Sequence, residues 1–136
     1  MVNLSEIVFS NKSESRRDWK ERVEEQLVRS EYGDYVLSTY LTTSNLLASL
    51  EISNWDKNRP PDSKRVTEVL RDITSSERVQ GIIGLASLSG SFVCYDGNHR
   101  RLALSKSDRS YKILVTVIWA ATEDAIIDES LARRTW

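Results

Sequence analysis

The chain has 136 residues, of which 40% are hydrophobic and 29% charged, and a formal net charge of −1. That is the length and composition of one globular domain, large enough to bury about two-thirds of its unfolded surface without a disulfide or a metal. The charge balance argues against a nucleic-acid coat protein or a polybasic membrane binder, and leaves open a local basic patch.

Residues 1–10 hold a short apolar set, Ile7, Val8 and Phe9, that suits a strand or a docking arm. The start MVNLSEIVFSNK is too short and too polar for a signal peptide. Residues 11–31 read as a helix: Asn11 caps, Glu14 completes a capping box, and Trp19, Val23 and Leu27 recur on one face. Asp34 starts a second predicted helix over 34–48, with Tyr35, Val36, Thr39, Tyr40, Thr43, Leu46 and Leu47 near a 3.6-residue period. The same β-branched and aromatic residues also suit strands.

The stretch LEIS at 50–53 is a short strand, followed by the loop NWDKNRPPD, where Pro60 and Pro61 disfavour helix. A helix follows, capped by Asp62 or Ser63, with Val66, Val69, Leu70 and Ile73 as its apolar stripe. Two strands are expected at 79–88 and 91–95, joined at Ser89-Gly90. A short helix then ends near Asp108. The strand at 112–120, KILVTVIWA, is apolar on both sides and belongs in the middle of a sheet. Thr122 caps a last helix with Ala125, Ile126 and Leu131 inward. This order predicts an α+β domain: a small mixed sheet with flanking helices, and an added N-terminal helical layer over 1–49.

The segment Asp96-Gly97-Asn98-His99-Arg100-Arg101 lies between a predicted strand and a predicted helix. Gly97 permits a turn with positive φ. A helix N-terminus offers free N–H groups and partial positive charge, and this one carries two arginines and the chain's one histidine. That combination makes an anion pocket, most naturally for phosphate. Asp96 either caps the helix, orients His99 or Arg100, or helps to hold a metal on a phosphate. The bland alternative is a polar turn with solvated arginines. With one cysteine and one histidine, the chain has too few ligands for a Cys/His zinc site, and neither zinc nor haem is expected. An HNH nuclease would need a second histidine. Cys94 cannot form an internal disulfide and reads as a buried structural thiol, which favours a reducing, intracellular compartment, either cytoplasm or nucleus/nucleoid. Trp55 reads as an anchor, with base stacking as the alternative.

Strand–DGNHRR–helix resembles the box of the ParB/sulfiredoxin superfamily. ISNWDKNRPPDSKRVTEVLRDI at 52–73 is similar to that family's first block, and KILVTVIWAATEDAIIDE at 112–129 to the strand and helix after the box. The likeness covers about 50–129, so 50–136 is taken as the ParB/sulfiredoxin-like domain and 1–49 as an N-terminal helical extension. It implies a nucleotide pocket: a nucleoside triphosphate or diphosphate with Mg²⁺, its phosphates on Gly97, Asn98, His99, Arg100 and Arg101, with Asn58 and Arg59 opposite. Asp96 and His99 take the catalytic roles in this reading, and Asp96 is also the candidate Mg²⁺ ligand.

Family activities range over CTP-dependent DNA clamps, an ATP-dependent sulfinic acid reductase, a free-serine kinase and nucleases. Asn98 stands where the reductase has its cysteine, which argues against that chemistry. The sequence shows no helix-turn-helix or dimerisation domain of a partition clamp. A kinase needs an acid near the first block, for which Asp56 and Glu51 are the candidates. The expected function is therefore phosphoryl transfer or phosphodiester hydrolysis at the box. The alternatives are an inactive binding module within a nucleoprotein or protein assembly, and a DNA-acting nuclease. Expected partners are a nucleotide, and DNA, a protein or a second copy through the N-terminal helices, with no membrane.

Overall fold

The computed structural model describes residues 24–29, 31, 33–88, 91–119 and 122–134. Six strands form one sheet: β1 (Glu24–Val28), β2 (Tyr35–Thr43), β3 (Ile52–Asn54), β4 (Ile82–Leu88), β5 (Ser91–Asp96) and β6 (Lys112–Trp119), in the order β1-β2-β6-β4-β5-β3. The helices are α1 (Ser44–Ala48), α2 (Ser63–Ser76), α3 (Asn98–Lys106) and α4 (Glu123–Arg134). The pairs β6–β4 and β3–β5 are parallel, and the other three are antiparallel. The α+β class expected from the element order is the one observed.

The N-terminal third departs from expectation. Residues 24–28, placed at the end of the first predicted helix, are a strand, and the rest of that helix through residue 23 lies outside the described residues. Residues 35–43 are a strand too, and only 44–48 of the second predicted helix is helical. So 24–43 is part of the same sheet as the region after residue 50, not a helical layer laid on it. The physical reason is pairing. Val36 through Thr43 match Trp119 through Lys112 along the whole of β6. Ser38, Tyr40 and Thr42 alternate into the core, a period of two that the nearby apolar residues obscure in the sequence.

The long central strand behaves as read. Ile113, Val115 and Val117 are buried on one side, beneath Leu47 of α1, Val66 and Ile73 of α2, and Ala103 and Leu104 of α3. Trp119 closes that core, edge-on to Tyr40 and Phe92, with its indole N–H donating to Ser38 Oγ at 3.0 Å. On the reverse side Ile118 packs with Tyr35, Trp55, Ala86, Tyr95, Ala125 and Ile126, under α4. Leu131, expected inward, is 52% exposed, and Leu114 is 42% exposed because α4 covers only part of this face. Thr122 caps α4, accepting from Ala125 N at 3.2 Å. Tyr35 ties β2 to α4: its hydroxyl lies 2.8 Å from Asp128 Oδ2 and 2.9 Å from Glu129 Oε2. Burial first, then the two carboxylates, hold that phenol above its usual range.

Gly84 marks the register shift between β4 and β5, and the Tyr95 ring lies over it. A Cβ there would stand 2.7 Å from Tyr95 Cζ. Gly84→Ala is therefore expected to destabilise the fold by about 1–3 kcal/mol, read from urea unfolding, with tyrosine fluorescence or near-UV dichroism following the displaced ring.

Candidate functional site

The parallel pair β3–β5 ends in Asn54 and Asp96, and both ends open on one cleft. Carboxyl ends of neighbouring parallel strands are where open α/β sheets hold ligands, because the chain leaves the sheet there and helices start. β5 runs directly into α3 through Gly97, whose φ of 79° is left-handed. No side chain caps α3, so its first-turn N–H groups have no capping partner. The loop from Trp55 to Asp62 rises over the other side of the cleft. Trp55 N at 3.1 Å and Asn58 Nδ2 at 2.9 Å both donate to Cys94 O. Asn58 Nδ2 also reaches Asn54 Oδ1 at 3.0 Å, and Asn54 Nδ2 donates to Arg59 O at 3.1 Å. Trp55 is buried, with Nε1 donating to Glu123 Oε2 at 3.3 Å, so it anchors the loop to α4 and offers no face for stacking.

Two cavities flank the turn. The first holds about 300 Å³ between this loop, the end of β5 and Ser130 of α4. The second holds about 530 Å³ along α2, where Arg65, Val69, Asp72 and Ile73 face Arg78 and the turn. Asp96, Gly97, Asn98 and His99 border both. The sequence-predicted residues Asn58, Arg59, Asp96, Gly97, Asn98 and His99 thus come together around the first cavity.

The two arginines of the box do something else. Arg100 turns away from the first cavity and donates from Nη1 to Gln80 O at 2.6 Å and from Nη2 to Ile82 O at 3.2 Å. Its guanidinium is fitted between two glycines. A Cβ on Gly81 would fall on Arg100 Nη1, and one on Gly97 would stand 2.9 Å from Nη2. Both glycines have positive φ. Arg101 donates from Nε and Nη2 to Asn98 Oδ1 at 3.0 and 2.6 Å. That contact occupies Oδ1 of Asn98, whose side chain is itself buried. The cation that stays open to the first cavity is Arg59, whose guanidinium is exposed and makes no ion pair or hydrogen bond among the described residues.

His99 Nε2 accepts from Asp62 N at 3.2 Å, an arrangement that puts the ring proton on Nδ1. Asp62 in turn caps α2, accepting from Lys64 N at 2.9 Å. Asp96 is the one carboxylate bordering the first cavity, and among the described residues no group of three or more His, Cys, Asp or Glu comes together. Asp56 and Glu51, the acids considered near the first block, border neither cavity.

Cys94 is fully buried, with its thiol 3.2 Å from Asp96 O. Burial pushes the thiol from its usual 9.0 up to about 11, against the opposing pull of the Arg101 guanidinium. Sequence reasoning missed Asn54, Tyr95, Ser130, Gln80 and the α2 face of the second cavity. Asn54 carried a faint signal in its four-residue spacing from Asn58, whereas Ser130 is brought in only by the packing of α4.

No family model matches the chain, no curated protein matches it, and no solved structure matches it.

Arg100→Ala removes two charge-assisted bonds and leaves Gln80 O and Ile82 O without that donor, so a loss of about 1.5–3 kcal/mol is expected in chemical denaturation. Cys94 should resist a thiol reagent such as dithionitrobenzoate in the native state and react promptly in denaturant. Because its folded value is raised, the stability it contributes is whole below pH 9.0 and is lost as pH climbs through about 11. Unfolding midpoints measured across that window, against Cys94→Ala, check the sign.

Proposed function

We propose that the cleft binds the phosphate groups of a nucleotide at the start of α3 and serves phosphoryl transfer or phosphodiester hydrolysis there. The observation that carries this reading is the uncapped N-terminus of α3, set at the shared wall of two cavities with Arg59 facing it. Backbone N–H groups of the first turn are placed to accept an anion without the side-chain reorganisation that a flexible cation needs. Gly97 makes room for the Arg100 guanidinium that braces this turn. Arg59 supplies the mobile positive charge. Asn98 takes part through its backbone N–H and its side-chain Nδ2, while its Oδ1 is held by Arg101.

His99 borders both cavities and is the group able to donate a proton or a hydrogen bond to a phosphate oxygen. Asp96 is the acid available to orient an attacking hydroxyl or water. Two cavities on either side of one turn suit a donor and an acceptor meeting across it. The ParB/sulfiredoxin likeness of the box and the two flanking blocks supports the same reading.

A second reading, a binding module without chemistry, draws on the sheet edge. Leu27 on β1 and Val36 on β2 are cross-strand neighbours, 54% and 38% exposed, at the edge that β1 forms among the described residues. Such an edge is a place for another chain to pair.

A thermal-shift series with ATP, ADP, CTP, GTP and inorganic triphosphate, each with Mg²⁺, separates the two. The phosphate reading expects at least one to raise the melting temperature by a few degrees. Arg59→Ala should reduce the shift, and Arg71→Ala, exposed on α2 away from both cavities, should not. No shift with any of the five defeats the phosphate reading, and a concentration-dependent oligomer in its place favours the module.

A further inference from the structure

We propose that His99 is a proton-operated latch: when its ring gains a proton, Asp62 gives up its backbone bond to the ring and its cap on α2 in favour of the imidazolium, and the first turn of α2 loosens, held there by Val66 N on Asp62 O. This goes beyond the phosphate reading and does not depend on what the cleft binds.

The contact at issue is the 3.2 Å bond from Asp62 N–H to His99 Nε2. A ring nitrogen accepts only while it carries no proton, and an imidazolium has donors alone. The bond therefore exists with the neutral ring and is impossible with the charged one. Protonation sets two N–H groups against each other. It also creates a donor beside the Asp62 carboxylate, which at present caps α2 through Lys64 N at 2.9 Å. A carboxylate drawn to the imidazolium leaves that cap, so one proton removes two of the contacts that fix the first turn of α2.

The bond stands between the cavities. Arg59 borders the first, Arg65 borders the second, Asp62 lies between them in the chain, and His99 borders both. The charged groups around the ring come from every wall: Arg59 and Asp62 from the loop, Arg65 and Asp72 from α2, Arg78 from the segment after it, and Asp96 and Arg100 from the turn itself. The side chain of α4 at the first cavity, Ser130, is uncharged. The Asp62 bond is the contact that depends on the state of the ring.

The upstream loop is held independently. Trp55 N and Asn58 Nδ2 sit on Cys94 O, and Arg59 O is held by Asn54. The loosened stretch is thus short, from Pro60 to the first turn of α2, and the two adjacent prolines make it move as a stiff unit.

His99 is the chain's one histidine, so its ring signal in an NMR spectrum needs no assignment by mutation. The experiment follows that signal and the backbone amides of the whole chain from about pH 8 to about pH 5. The Asp62 amide should shift with the same midpoint as the ring. Its hydrogen-exchange protection, corrected for the intrinsic pH dependence, should fall by roughly fivefold or more. His99→Gln supplies an acceptor that does not titrate and should keep Asp62 protected at the acid end. His99→Phe should leave Asp62 unprotected throughout. An Asp62 amide that stays protected while the ring titrates overturns the latch, as does an unchanged acid response in His99→Gln. All these readings are taken without ligand, so they stand or fall separately from nucleotide binding.

Discussion

Everything at the cleft rests on where Arg100 puts its charge. The guanidinium lies on Gln80 O and Ile82 O, between Gly81 and Gly97, and so stitches the start of α3 to the segment entering β4. A buried or half-buried cation needs acceptors, and here backbone carbonyls supply them. The consequence is geometric. With Arg100 turned inward, Gly97 must stay left-handed and without a side chain, and the first turn of α3 must face the cleft with its amides. One interaction within the fold therefore shapes a surface that looks built for something outside it.

The arrangement divides the labour among residues that look alike in the sequence. The arginines of the loop and of the box, Arg59, Arg100 and Arg101, each act differently. Arg100 braces the turn, Arg101 fixes Asn98, and Arg59 remains open to solvent. The histidine is likewise committed on one side, through Nε2, to the loop that carries Arg59. The loop and the turn are thus braced from within, while Arg59 stays open to the first cavity and Arg65 and Arg78 border the second.

Much of this could be read from residue order. Strand, glycine turn and helix at 91–106, the cap at Asp62 and the apolar stripe of α2, and the two-sided burial of β6 all have local causes, and local causes leave local patterns. β2 left none. YVLSTYLTT satisfies a helical period and a strand period about equally, and only the distant partner strand β6 resolves it. The same limit applied at the site. The residue types around the turn suggested an anion pocket, but which arginine faces the pocket depends on the carbonyls of Gln80 and Ile82, at the entry to β4. Ser130 was invisible for the same reason: nothing near it in the chain refers to the cleft, and packing alone brings it there.

The strand order carries a consequence for how the molecule comes to exist. β6 is the last of the six described strands in chain order, yet it lies between β2 and β4 and pairs with both. During synthesis the β4–β5 pair and β3 can assemble early, while β1 and β2 wait as a detached ribbon with no neighbour to bury them. The two halves of the sheet meet only when residues 112–119 emerge, and α4, which closes the cleft with Ser130 and anchors its loop through Glu123, comes after even that. A nascent chain that has passed β2 but not yet reached β6 therefore carries an exposed half-sheet, and its cleft closes only once α4 has followed β6.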